Sequence, residues 1–595
     1  MIEENKPQHV SKELESWVEQ TTGLTKPDKV YWCDGSELEN RKLLSFLTES
    51  KQIIKLNEKK YPNCYLYRTN ENDVARVEDR TLICTDSEVE AGPTNRWMKK
   101  ETAFRMMQDL FKEIMAGRTM YVVPYLLGPE GSSFSQVGVE LTDSAYVAVN
   151  MRILTRMGDI ALQELNRKKE FVKAIHSIGN LDPEKRYICH FPDERLLMSI
   201  NTVYGGNAIL SKKPHALRIA SIIARKEGWL AEHMFLLEIV NKENDKNYYI
   251  SGALPSASGK TNLAMIQPSK AFKDFTARTV GDDISWLFSG KNGEMRGINP
   301  ENGFFGVAYG TGPYSNPNIL ESLKKNTIFT NVALNPKDNT PWWEGLSEFP
   351  ETLYDWTGKE WHKGGSSAAH MNSRFTTPIK QYRFKSDRYE DPDGVEISAM
   401  LFGGRRSSLL PLVYEAQTFE QGILVGAMTR AETTAAQSGA ARVVRDDPMS
   451  MIAFCGYNMG DYFNHWFEFA EKIKKRPKVF NVNWFRKDEN GNYIWPGFGE
   501  NFRILEWMIK RIDGTVKAKE FPIGFLPYVE DINLNGMDFD VERLKKLLYF
   551  DKDGWAGELI KVKEFFDKFG ERFPKKLWDE FDKMNKRVLD YVPEN

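Results

Sequence analysis

Cysteine is scarce and scattered in this chain of 595 residues. Cys33, Cys64, Cys84, Cys189 and Cys455 share no Cys-x-x-Cys spacing. Such a pattern supports neither a zinc site nor a disulfide framework and fits thiols kept reduced. An excess of one charge sign is also missing, since 81 Lys and Arg stand against 83 Asp and Glu. Nucleic-acid and membrane-surface proteins need a marked basic excess, so neither partner is expected, although a local basic pocket is not excluded. No run approaches the ~20 apolar residues of a membrane span. The first thirty residues are polar and of mixed charge, with neither the apolar core of a secretion signal nor an Arg-rich, acid-poor stretch. The expectation is a soluble, cytoplasmic protein. Internal repeats and low-complexity tracts are absent as well.

What is present points to several domains and a loop-built site. A chain of this length exceeds one core. Many of the 43 glycines fall in short polar segments: Gly205-Gly206, Gly259, Gly281, Gly306/Gly310/Gly312, Gly364-Gly365, Gly403-Gly404 and Gly497/Gly499. Glycine there allows a tight turn or close backbone approach to a ligand, and several of these segments also carry Lys, Arg, Asp or aromatics, which turns alone do not require. Between residues 80 and 225, strand-like runs (Met120–Pro124, Ala145–Val149, Tyr187–His190) alternate with helical stretches (Arg96–Ala116, Asp159–Lys173). The helical segment Ala216–Glu232 leads to a second domain that opens at a strand, Phe235–Val240. From about residue 540 the chain reads as amphipathic surface helices, with Leu559, Ile560, Val562, Phe565, Phe566 and Phe569 near helical spacing.

Residues 254–261, Leu-Pro-Ser-Ala-Ser-Gly-Lys-Thr, form the back end of a phosphate-binding loop whose first glycine position is Leu254. A β-like run (Tyr248, Tyr249, Ile250) precedes it and a helix-like run (Asn262–Ile266) follows. Strand, tight loop and helix start direct backbone N–H groups at an anion, while Lys260 reaches terminal phosphates and Thr261 a divalent metal. About twenty residues later, Gly281-Asp-Asp-Ile-Ser-Trp offers adjacent carboxylates after a β-capable run. It suits a metal at a phosphoryl-transfer site, and equally a helix cap or solvated turn. Tyr204-Gly-Gly-Asn, Lys212-Lys213 and Ala231-Glu-His233 supply a glycine turn, two amines and an imidazole; a solvated lysine pair and a structural histidine account for them as well. Asn372-Ser-Arg374 and Gly403-Gly-Arg405-Arg406 set guanidinium forks beside small residues, a phosphate or carboxylate grip unless they are surface ion pairs. From Asn483 to Asn501, aromatics in a Gly/Pro-broken stretch suit a loop that stacks on a base.

Taken in order, these segments resemble GTP-dependent phosphoenolpyruvate carboxykinases. The resemblance is carried by Tyr-Gly-Gly-Asn (204–207), Trp-Leu-Ala-Glu-His-Met (229–234), Pro-Ser-Ala-x-Gly-Lys-Thr-Asn-Leu-Ala-Met (255–265) and Gly-Asp-Asp-Ile-x-Trp (281–286). Ile-Asn-Pro-Glu-Asn-Gly-Phe-Phe-Gly-Val-Ala (298–308), Asn-Ser-Arg-Phe (372–375), Phe-Gly-Gly-Arg-Arg (402–406) and Asn-Trp-Phe-Arg-Lys-Asp (483–488) extend it. It implies a two-lobed α/β fold with mixed sheets: an N-terminal substrate domain over 1–227, a C-terminal P-loop nucleotide-binding domain over 228–595, and a mobile lid over 430–442. The implied reaction turns oxaloacetate and GTP into phosphoenolpyruvate, GDP and carbon dioxide, in a monomer.

The resemblance also implies roles for residues. One Mn²⁺ is expected beside the enolate oxygen, held by Lys213, His233 and Asp283, and a Mg²⁺ or Mn²⁺ with the nucleotide at Thr261, near Asp282. Lys260, Arg405, Lys212 and Ser258 belong to the implied catalytic centre. Arg76, Tyr204, Gly205, Gly206, Ser256, Asn372 and Arg374 are expected around the substrate. The nucleotide is expected on Ala257, Ser258, Gly259, Lys260, Thr261, Asn262, Arg374 and Arg405, with guanine between Phe485 and Phe498 and near Tyr493 and Asn501. Three departures stand out: Ser258 replaces the family's usual cysteine, Tyr309 a usual proline, and Tyr493 a usual phenylalanine. Without a thiol at 258, catalysis is expected to survive and alkylation to inactivate less readily. Rival readings are a P-loop kinase for another small acid, a pyrophosphate-using relative, and a nucleotide-gated protein without catalysis. The purine-stacking segment argues against pyrophosphate, the Lys213/His233 pair against an ordinary kinase, and the implied metal triad with Lys260 against a protein without catalysis.

Overall fold

The computed structural model describes residues 2–256, 258–433 and 443–593. The chain forms two compact units, one of Met1–Ala91, Asn95–Ile222 and Pro300–Lys385, the other of Gly92–Thr94, Ile223–Asn299 and Ser386–Asn595. Residues 300–385 thus fold with the first unit although they interrupt the second in sequence.

A ten-stranded mixed sheet frames the first unit. Strand Gln136–Thr142 runs antiparallel to Thr119–Leu127 and parallel to Val172–Ser177, which is parallel in turn to Leu196–Ile200. These strands are buried almost throughout, and Thr119–Leu127 and Leu196–Ile200 read as nearly continuous apolar runs. Thr119–Leu127 and Tyr187–Phe191 contain two of the strands expected from sequence. The third expectation is corrected: Ala145–Val149 opens a helix, Ala145–Leu154. Ser144 caps it by accepting from the Val147 N–H at 3.3 Å, and most of its faces are buried, so no polar stripe betrays the helical period. The expected helices are also trimmed. Lys100–Phe111 follows a short strand, Trp97–Lys99, and Asp159–Lys168 stops at Lys169, which is left-handed at φ 61°. The stretch 216–232 becomes a wide turn within Ser211–Ile219, a helix Ala220–Glu227, and a strand Leu230–Glu232. A second sheet of this unit pairs Gly303–Val307 antiparallel with Arg374–Pro378.

The second unit is built on an eleven-stranded sheet. Lys246–Ala253 lies between Met234–Asn241, antiparallel, and Val395–Gly403, parallel, with Lys478–Val482 extending the parallel set. The three parallel strands end at one edge, the usual place for a site in such a sheet. Leu254, where a Walker loop has glycine, is buried in the core. A Cβ on Gly403 would meet Leu254 Cδ2 at 2.9 Å and the Val482 carbonyl oxygen at 2.4 Å, so only glycine lets these strand ends close together.

The C-terminal helices Val541–Leu548, Lys552–Phe566 and Lys575–Asp590 pack by one face, as their pattern predicts. One of them does more. Glu558 is buried and accepts from Arg406 at 2.5 and 3.0 Å, with Arg430 at 3.1 Å. Burial opposes ionisation of Glu558, but Arg406 and Arg430 outweigh it and hold the carboxyl below its usual range. A depressed folded pKa gives stability that is present above the unfolded pKa and lost as pH falls through the folded value. Glu558→Gln is expected to cost about 3 kcal/mol at neutral pH, because it strands buried guanidiniums. In urea unfolding the gap from the parent should narrow below a pH of about 4. Equal stability of the two proteins at neutral pH would refute the clamp.

Candidate active site

In the second unit, the phosphate loop follows strand Lys246–Ala253 and ends at the short helix Lys260–Ala264. Gly259 is left-handed at φ 85° with open space around its Cα, so glycine is required by conformation rather than by crowding. Ser256 is exposed, whereas Ser258 is buried and its hydroxyl has no hydrogen-bond partner among the described residues. Lys260 is buried, with its Nζ 2.7 Å from Asp283 Oδ1 and 2.9 Å from the Asp283 carbonyl oxygen. Thr261 Oγ1 lies 3.2 Å from Asp282 Oδ2. Asn262 is half-buried on the same helix. The sequence-predicted loop, aspartate pair and His233 therefore meet in one place.

His233 decides what that place can hold. Its Nδ1 is 3.0 Å from the Ser450 carbonyl oxygen, and its Nε2 is 3.1 Å from Asp283 Oδ1. A carbonyl only accepts, so Nδ1 carries a proton; Nε2 then either donates to the Asp283 carboxylate or, without a proton, offers a lone pair to a cation. The Lys260 ammonium faces the same carboxylate oxygen at 2.7 Å. An imidazole nitrogen beside a carboxylate oxygen is a donor pair that could hold a divalent cation. Among the described residues, no three His, Cys, Asp or Glu side chains gather into an all-carboxylate or thiolate cage. The turn carrying Ser450 was not legible in the sequence. Met449 and Ser450 are consecutive non-glycine residues with φ 51° and 59°, a costly geometry sustained by their burial.

Arg405 and Arg406 part company. Arg406 is the buried partner of Glu558, while the Arg405 guanidinium lies 4.5 Å from the centre of the Phe485 ring and donates to the Tyr493 hydroxyl at 3.2 Å. Tyr493 is exposed. Phe498 is half-buried at φ 32°, after Gly497 at φ 82°. Asn501 accepts from Trp495 Nε1 at 2.9 Å. Arg430–Glu432 pairs with Val444–Asp446 to form a two-stranded base. Ala257 and residues 434–442 of the expected lid lie outside the described residues.

In the first unit, Tyr204-Gly205-Gly206 follows strand Leu196–Ile200. A Cβ on Gly206 would meet the Tyr204 ring at 2.6 Å and Arg76 Cγ at 3.3 Å, which brings Arg76 and Tyr204 to one spot. Arg374 Nε donates to the Tyr204 hydroxyl at 3.2 Å, and its guanidinium lies 5.4 Å from the centre of the Phe305 ring. Asn372 is half-buried nearby in sequence, its N–H donating to His370 Nδ1 at 3.0 Å. Asp73, which carries no motif, organises this loop from beneath. It is fully buried and accepts from Thr202 Oγ1 at 2.8 Å and from the N–H groups of Val203 and, at 3.0 Å, Tyr204, with Arg186 at 3.4 Å. Lys212 and Lys213 are both buried in the segment Ser211–Ile219, where the His215 N–H reaches back to the Leu210 carbonyl at 3.0 Å. Pro214 has no N–H to give, and the turn widens there. Lys212 is ion-paired with Glu301. Tyr309 is half-buried with its hydroxyl 3.4 Å from Ser367 Oγ.

A phosphate loop backed by paired carboxylates, an imidazole and the buried Lys260 amine is the kind of arrangement used in phosphoryl transfer. Comparison with known proteins agrees and is more specific. Residues 229–587 match the family described as the phosphoenolpyruvate carboxykinase C-terminal P-loop domain, and residues 16–225 its N-terminal domain. Similar proteins include the phosphoenolpyruvate carboxykinase (GTP) of Anaeromyxobacter dehalogenans, 48% identical over 566 residues and 95% of each chain. Those of Chlamydia pneumoniae (46%, covering 95% of this chain and 96% of that one) and Thermoplasma volcanium (45%, covering 96% and 97%) are also similar. The chain belongs to the phosphoenolpyruvate carboxykinase family. Among the described residues, no helix is long and apolar enough to cross a membrane.

Two outcomes follow from this geometry. Ser450→Val, which resists a left-handed backbone, is expected to weaken Mn²⁺ binding at least ten-fold in titrations followed by electron paramagnetic resonance, whereas Ser450→Gly should preserve it. Equal affinity in both variants would show that the carbonyl does not orient His233. Alkylation by iodoacetamide is expected to be slow in the parent: all five cysteines are buried, and burial holds Cys33 far above the usual thiol range and pushes Cys64 and Cys455 up to about 12. Ser258→Cys should restore rapid inactivation, with nucleotide protecting; an unchanged rate would place residue 258 away from the nucleotide.

Proposed function

We propose that this chain catalyses GTP-dependent conversion of oxaloacetate to phosphoenolpyruvate, GDP and carbon dioxide, a gluconeogenic reaction. One observation supports it above the rest: Lys260, Asp283 and His233 converge at the end of a phosphate loop. Loss of carbon dioxide leaves the C–C bonding pair as an enolate, whose oxygen then attacks the γ-phosphorus while GDP leaves.

Each step asks for something these residues supply. Gly259, Lys260, Thr261 and the neighbouring Ser258 and Asn262 are assigned to the nucleotide phosphates, with Lys260 and Arg405 neutralising charge on the transferring group. Phe485 and Phe498 are assigned to the two faces of guanine, and Tyr493 and Asn501 to its edge. The Tyr493 hydroxyl also holds Arg405 in its place over Phe485. Arg76, Arg374 and Tyr204, with Gly205, the Gly206 N–H, Ser256 and Asn372, are assigned to the substrate carboxylates. Lys212, held by Glu301, is assigned to the catalytic centre as a fixed positive charge.

For the metal, His233 and Asp283 have the donor chemistry described above, and motif position adds Lys213; Thr261 and Asp282 are assigned to a second ion with the nucleotide. When bound, Mn²⁺ acts as a Lewis acid toward the substrate oxygen and as a template. The proton fixed on His233 Nδ1 keeps Nε2 available as a ligand. In this reading residues 1–227 serve the substrate, joined by Ser256, Asn372 and Arg374, and the rest of 228–595 serves the nucleotide, in a cytoplasmic monomer.

Phosphoenolpyruvate formation is measured with Mn²⁺ and oxaloacetate against GTP, ITP, ATP and pyrophosphate. Turnover with GTP is expected, and no product with any donor would overturn the reading. Lys260→Ala is expected to lower phosphoryl transfer by roughly a thousand-fold or more, while decarboxylation to pyruvate persists. Transfer at parental rates would mean that Lys260 is misassigned.

A further inference from the structure

The first unit holds a concave site. It is a cavity of about 250 Å³ lined in part by Asn40, Arg152, Arg156, Ile160, Ile328 and Lys380. Drug-sized ligands occupy larger pockets, so this one is sized for a small metabolite. None of the residues assigned above to phosphate, metal, guanine or substrate lines it.

Its chemistry is specific. Three of its charged side chains are cationic (Arg152, Arg156 and Lys380) and one, Glu37, is anionic. Glu37 is engaged by Arg152 at 2.7 Å, and Arg156 donates to the Pro300 carbonyl at 3.2 Å. Lys380 has no ion-pair partner among the described residues, and the wall keeps a net positive charge. Asn40 also lines the cavity, and its amide makes no hydrogen bond among the described residues, which leaves it available to a ligand. Ile160 and Ile328 add apolar lining.

We propose that this cavity binds a small organic anion with an apolar body, such as a carboxylate or phosphate ester, separately from the substrate. Asn302, on the cavity wall, directly precedes strand Gly303–Val307, and Pro378, also on the wall, ends the partner strand that begins at Arg374. The cavity and the Arg374 guanidinium thus sit at opposite ends of one antiparallel strand pair. Occupancy is expected to shift the KM for oxaloacetate, an expectation that rests on the function proposed above.

Phenyl phosphate serves as the probe in isothermal titration of the full chain, with inorganic phosphate and benzyl alcohol as its anionic and apolar halves. Binding is expected for phenyl phosphate, at least ten-fold tighter than for either half. Arg374→Ala should retain it. Lys380→Glu, an exposed change that leaves the fold intact, and Ile160→Trp, which fills the cavity, should each weaken it at least ten-fold. No binding up to about 10 mM, a free energy under roughly 3 kcal/mol, would overturn the site. So would binding lost in Arg374→Ala and kept in Lys380→Glu, which would locate the probe at the substrate subsite instead. Binding with an unchanged KM would refute the coupling and leave the site standing.

Discussion

A single oxygen atom, Asp283 Oδ1, is shared between the Lys260 ammonium at 2.7 Å and His233 Nε2 at 3.1 Å. Much of the second unit can be read as the means of keeping that arrangement. The strand Lys246–Ala253 delivers Lys260, and the bent turn at Met449–Ser450 fixes the imidazole from behind. Such a cluster is poised for exchange: cations and phosphates that enter compete for groups already satisfied by one another, so little reorganisation of the protein is required.

Other carboxylates act at a distance. Glu558 immobilises Arg406, so that the adjacent Arg405 can stay over Phe485, and Asp73 plays the corresponding part under Tyr204 in the first unit. In both places a buried anion with no motif of its own sets the position of a recognisable one. Removing such an anion disturbs the site without touching any ligand.

This explains what could be read from the chain alone. The loop at 254–261, the aspartate pair and His233 were legible because their chemistry is compressed into short strings with fixed spacing. The strand within Thr119–Leu127 was legible from a continuous apolar run, and the same rule failed at Ala145–Leu154, where a helix buried on most sides imitates a buried strand. Asp73, Ser450 and Glu558 were illegible for a different reason. Each acts through a contact made across a long stretch of sequence, and Ser450 acts through its backbone, to which side-chain identity is nearly blind.

The discontinuity of the first unit has a bearing on how the protein is made. Strand Tyr65–Tyr67 pairs in parallel with Ile328–Thr330, so its inner edge has no partner until residues 328–330 leave the ribosome. At typical elongation rates that wait is roughly 10–50 s. For that interval a strand of three buried residues, Tyr-Leu-Tyr, is an open template for mispairing. Synthesis of this enzyme therefore includes a vulnerable period, set by chain order rather than by stability, in which holding chaperones would have the most to protect.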